Sequence, residues 1–126
     1  MNYICTECDK IFSRHPMTIL NEEIKVKELR ALELLDSIEF EANYQNTLED
    51  TISDSIDKEY AETKSVDLSN ETKRKRKRDE ILSREQSYNE SKNTMRSNKK
   101  LIKQIEIEVS YMKRKLRLWE VLTNEN

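Results

Sequence analysis

Residues 101–122 read LIKQIEIEVSYMKRKLRLWEVL. Large apolar side chains recur at Ile102, Ile105, Val109, Met112, Leu116 and Trp119, in alternating steps of three and four. This is the spacing of a coiled-coil seam, with Ile102, Val109 and Leu116 at a and Ile105, Met112 and Trp119 at d. Traced backwards in sevens, a takes Met95, Tyr88 and Ile81, while d falls on Asn98, Ser91 and Arg84. The seam is therefore expected to weaken towards its N-terminal side. A helix with one apolar stripe needs a second surface to cover it. The stretch predicts an all-α protein that works through other helices, supplied by other proteins or by a second copy.

Moving outward, residues 17–62 contain neither glycine nor proline and read as one acidic helix. Met17, Ile24, Ala31, Ile38 and Ile52 fall at a, and Leu20, Leu34 and Leu48 at d. The interaction seam here is assigned to Ile24, Leu34, Ile38, Leu48 and Ile52, with Lys27, Glu41, Gln45 and Ser55 interrupting it. Val26, Leu29, Leu32 and Phe40 lie off the seam, as expected of a helix inside a three- or four-helix bundle. Residues 63–71, TKSVDLSNE, lose the periodicity and carry cap-type Asp67, Ser69 and Asn70. They read as a linker, open for want of glycine. Residues 72–126 read as a basic helix that runs on through a polar middle, since nothing in 79–100 stops it.

The 126 residues include no glycine and one proline, Pro16, which argues against a compact multi-strand domain. Charged residues reach 38% against 35% hydrophobic, a composition that suits exposed helices. The net charge of −2 conceals an asymmetry. Residues 1–71 hold 17 acids and 7 Lys/Arg, and residues 72–126 hold 8 acids and 16 Lys/Arg. An antiparallel hairpin would set acidic residues 49–62 beside the basic start of the second helix and leave burial to supply most of the stability. The expected fold is thus an elongated coiled coil or antiparallel helical hairpin, part of a larger helical bundle, with a short irregular Cys-x-x-Cys segment at the N-terminus.

The densest charge is KRKRKR, residues 73–78. Lys73, Arg74, Lys75, Arg76, Lys77 and Arg78 resemble a monopartite nuclear localisation signal. They also suit contacts to nucleic-acid phosphates or to acidic helices. Cations near a helix N-terminus oppose the macrodipole and repel each other, so local helix stability does not explain the run.

Residues 1–16 read MNYICTECDKIFSRHP. Tyr3, Cys5, Cys8, Lys10 and Phe12 carry the pattern Tyr-x-Cys-x-x-Cys-x-Lys-x-Phe, which resembles the first half of a Cys₂His₂ zinc finger. The resemblance covers about ten residues. The second half, with two histidines on a helix, is missing, and with it the implied DNA-reading helix. His15 comes too early for the finger's spacing. Cys5, Cys8 and His15 are candidate zinc ligands, completed by a partner or a second copy; the alternative is no cofactor and two half-buried thiols.

No catalytic constellation is legible: there is no Gly-rich phosphate loop, no G-x-S-x-G and no H-E-x-x-H. The expectation is a non-enzymatic structural or adaptor subunit of a nuclear multiprotein assembly of the kinetochore, chromatin or RNA-processing kind, without a small-molecule substrate. The alternatives are a nucleic-acid-binding coiled coil and a cytoplasmic tether or trafficking adaptor. No apolar run reaches membrane-spanning length, no signal peptide is visible, and the paired cysteines suit an intracellular, reducing compartment.

Overall fold

A computed structural model gives the fold and describes residues 3–4, 11–12 and 15–124. The protein is all-α. Three helices carry it: α1 over Pro16–Thr63, α2 over Glu71–Arg84 and α3 over Gln86–Asn124. Before them, the two-residue strands β1 (Tyr3–Ile4) and β2 (Ile11–Phe12) pair antiparallel, with Tyr3 opposite Phe12 and Ile4 opposite Ile11. No helix among the described residues is long and apolar enough to cross a membrane.

The start of α1 follows from its first residues. Pro16 takes the first helical position, where its missing N–H costs nothing. The Nδ1 of His15 accepts the backbone N–H of Met17 at 3.1 Å, satisfying one of the unpaired donors of the first turn. The end is less ordinary. Lys64 stands at φ 53°, and its N–H donates to the carbonyl of Tyr60 at 2.8 Å. This is a left-handed helix cap, a position usually held by glycine. The sequence offers no glycine, so a lysine takes the strained conformation, its ammonium lying 5.3 Å from the centre of the Tyr60 ring.

The expected linker is structured. Val66–Leu68 form a 3₁₀ turn that Ser65 caps, and Leu68 is buried. Asn70 caps α2 by accepting the N–H of Lys73 at 2.9 Å. The expectation of one unbroken helix from residue 72 is corrected at Glu85, whose backbone is extended (φ −80°, ψ 109°). The N–H of Glu85 turns back to the carbonyl of Leu82, and the Asn89 side chain donates to the carbonyl of Ser83 at 3.0 Å. A side-chain amide thus satisfies a helix end without glycine or proline.

The chain divides into two compact units, one of Met1–Leu34 with Lys100–Asn126, the other Leu35–Lys99. In the first, Ile24 of α1 is buried in a cluster with Val109 and Met112 of α3, and Leu20, Ile105 and Leu116 pack against it. Here α1 and α3 run in opposite directions: His15 meets Trp119, and Lys27 meets Glu108. In the second unit Ile56, Leu68, Leu82 and Tyr88 are buried. Hydrogen bonds there link α1 to the following helices in descending register, Ser37 with Asn98, Gln45 with Ser91 and Ser53 with Arg78.

Candidate helix-pairing surface

In the first unit, the seam read from residues 101–122 is covered from within the chain. Val109 and Met112 are 8% exposed and Ile102 9%, and Ile105 and Leu116 are half-buried. Their counterpart on α1 is Ile24, with Leu20 beside it. Trp119 remains 40% exposed; its ring stands edge-on to His15 with centroids 6.2 Å apart. Lys27, an interruption in the sequence pattern, lies on the seam and donates to Glu108 at 2.6 Å. That bond holds the Glu108 carboxyl below its usual range, against the opposing effect of desolvation, and Gln104 adds a second donor at 3.2 Å. Lys113 and Glu28 form a looser pair at 3.8 Å.

In the second unit, Ile38, Leu48 and Ile52 of the predicted seam are half-buried. Leu34, at the end of the first unit, is 4% exposed. The weak d positions Ser91 and Asn98 prove to be polar pairs rather than gaps. Ser91 is 5% exposed, donates to the carboxylate of Glu41, and accepts from the Gln45 amide at 3.1 Å. Asn98 donates to Ser37 at 2.9 Å. Tyr88 is buried and donates its hydroxyl to Glu49; burial and this carboxylate push the phenol up to about 12. The sequence did hold a signal for these pairs. Glu41 and Gln45 occupy seam positions of α1, and Ser91 and Asn98 occupy them on α3.

The basic run divides in two. Arg78 donates to Ser53 at 2.9 Å. Arg74 donates to the carbonyl of Leu68 at 2.9 Å, lies 3.8 Å from Asp57 and stacks over Tyr60 at 5.3 Å. Lys73 reaches the carbonyl of Val66 at 3.0 Å. Lys75, Arg76 and Lys77 are exposed, and their side chains form no hydrogen bond or ion pair with another described residue. The run is therefore partly an intramolecular device and partly an open cationic patch.

Exposed apolar residues concentrate in the first unit. Val26, Leu29 and Leu32 on α1 are 65%, 60% and 56% exposed, and Ile107, Tyr111 and Leu118 on α3 are 71%, 63% and 63%. The candidate metal ligands Cys5 and Cys8 lie outside the described residues, while His15 accepts the N–H of Met17 and stands edge-on to Trp119. Among the described residues no group of three His, Cys, Asp or Glu could hold a metal ion. Comparison with known protein families, curated proteins and solved structures returned no match.

Proposed function

We propose that this chain is a non-enzymatic helical adaptor, an antiparallel coiled-coil hairpin that joins a larger helical bundle in a nuclear multiprotein assembly. The observation that carries the reading is the second set of apolar residues in the first unit. The inner seam is already covered by Ile24, Val109 and Met112, yet both helices present further large apolar side chains to solvent. Exposed apolar area on this scale marks an interaction surface. Its helical setting favours helical partners, not a substrate pocket. The nuclear part rests on Lys75, Arg76 and Lys77, which are open to an import receptor.

The experiment is cross-linking mass spectrometry on the tagged chain isolated under native conditions. Links from Lys100, Lys103 or Lys115 to a helical segment of another protein support the reading. A chain that isolates alone, with no such links, overturns it.

A second reading is favoured by the same open patch: Lys75, Arg76 and Lys77 would contact nucleic-acid phosphates. Binding to random-sequence duplex that falls with salt would support it. Zinc remains part of the proposal for a separate reason. The Tyr3, Cys5, Cys8, Lys10 and Phe12 pattern resembles the first half of a zinc finger, whose two thiolates grip the metal. Elemental analysis of the isolated assembly tests this, and a metal-free assembly would set it aside.

A further inference from the structure

From the outer face of α3 in the first unit, we infer that the partner is an acidic amphipathic helix. The inference rests on the adaptor reading above and narrows it to one kind of ligand. Ile107, Tyr111 and Leu118 are exposed and follow one another at steps of four and seven. At about 100° per residue they share one line along the helix, within a sector of about 40°. The line lies away from Val109 and Met112, which face α1.

The charges beside this line have one sign. Lys103, Arg114 and Lys115 all fall within about 60° of it and are exposed. The ammonium of Lys115 rests 5.8 Å from the Tyr111 ring centre, extending along the stripe. The carboxylates of this segment lie elsewhere, about 80° or more around the helix. Glu108 is bound to Lys27 on the inner side, Glu106 borders the groove between α1 and α3 with Ile105 and Val109, and Glu120 lies almost opposite the stripe.

The apolar stripe and its flanking cations together select the occupant. Val121 and Leu122, also exposed, widen the stripe to about 100° at its C-terminal end, the width of an ordinary amphipathic helix face, which a single helix laid along it would cover. Phosphate backbones gain nothing from the central apolar line, and one tyrosine is a poor stacking platform for bases. A helix with its own apolar stripe and Asp/Glu at the flanking positions satisfies both features, burying Ile107 and Leu118 while its carboxylates meet Lys103, Arg114 and Lys115.

The test uses the full chain and two designed helical peptides with the same leucine stripe, one flanked by Glu and one by Lys. Fluorescence anisotropy should show the Glu-flanked peptide binding at least about tenfold more tightly, with the preference shrinking as salt rises. Lys103→Glu with Arg114→Glu should reverse the preference. Ile107→Ser with Leu118→Ser should abolish binding of both peptides while circular dichroism keeps the native helix content.

Equal binding of the two peptides overturns the acidic partner but leaves the adaptor reading standing. Binding of neither removes the helix-pairing reading as well. Anionic phosphatidylserine vesicles, or a random duplex, displacing the Glu-flanked peptide would reassign the surface to lipid or nucleic acid. Self-association that disappears in the Ile107→Ser, Leu118→Ser variant would reassign it to a second copy.

Discussion

Ser91 on α3 donates its hydroxyl to the carboxylate of Glu41 on α1, at a seam position where a leucine would ordinarily sit. The Gln45 amide donates to the same hydroxyl, so three polar groups occupy one layer of the second unit. A polar layer of this kind fixes register, because sliding either helix would strand the buried hydroxyl.

Ser91→Ala removes the shared hydroxyl and leaves Glu41 and Gln45 facing a methyl group. The expected loss is about 0.5–1.5 kcal/mol in urea unfolding, the usual net worth of a hydrogen bond between partly buried groups. A double-mutant cycle with Gln45→Ala should give a non-additive coupling, since the two groups touch. Additive losses would mean that the layer contributes burial alone.

Tyr88 supplies a pH dependence. Its phenol is pushed from 10.0 to about 12 by burial first and then by the neighbouring Glu49. The folded state therefore favours the neutral phenol. The contribution is fully present below pH 10 and is lost as pH rises from about 10 through about 12. Stability should fall over that window by up to about 2 kcal/mol beyond what Tyr88→Phe shows. If wild type and Tyr88→Phe lose stability in parallel between those pH values, the buried phenol is not linked to folding.

Much of the inner seam was legible in the sequence because apolar periodicity needs no knowledge of the partner. Ile24, Leu34, Ile102, Val109 and Met112, picked out by that periodicity, are all buried. The polar interruptions were not legible in the same way. Lys27, Glu41 and Gln45 look like defects until the register is known, and only then do Glu108 and Ser91 become their partners. The helix break at Glu85 was hidden for a related reason. It rests on the Asn89 amide reaching the carbonyl of Ser83, a contact that composition does not announce. The exposed apolar residues of α1 were visible in the sequence as the off-seam Val26, Leu29 and Leu32.

The basic run should split by function when mutated in two parts. Arg74→Ala with Arg78→Ala removes contacts to Leu68, Asp57, Tyr60 and Ser53. It should lower thermal stability, by roughly 1 kcal/mol per lost hydrogen bond. Substituting alanine at Lys75, Arg76 and Lys77 should leave stability within about 0.5 kcal/mol, as for surface changes in general. It should also keep a large fluorescent cargo out of the nucleus. A triple variant that still accumulates in the nucleus would disconnect the patch from import.

Lys64 offers a stabilising change. At φ 53° a residue with a Cβ is strained by about 1 kcal/mol, a cost glycine escapes. Lys64→Gly forfeits the ammonium contact with Tyr60, an exposed interaction of about 0.5–1 kcal/mol. The two effects oppose each other, so the net gain should stay below about 1 kcal/mol. Lys64→Met separates them, keeping the strain while removing the charge, and it should be less stable than both wild type and Lys64→Gly. Thermal melts of the three proteins rank them directly, and a Lys64→Gly variant that melts below Lys64→Met would show that the left-handed cap is unstrained.

Inner and outer apolar residues of the first unit should respond differently to truncation. Ile24 is 5% exposed and touches the cluster of Val109 and Met112, so Ile24→Ala removes buried methyl groups and leaves space that two helices can only partly close. The expected cost is about 2–3 kcal/mol, near the low end for large-to-small core changes because the cluster is small. Ile107 is 71% exposed, and Ile107→Ala gives up little burial in the isolated chain. Its cost there should be within about 0.5 kcal/mol, partly offset by alanine's higher helix propensity. The order reverses for association, because Ile107 presents its side chain outward while Ile24 is already spent on the fold. Urea unfolding of the isolated chain and binding of the Glu-flanked helical peptide, measured on the same two variants, give the two rankings. Equal losses in unfolding would show that the outer stripe is also part of the folded core, and the separation of inner seam from outer surface would then be wrong.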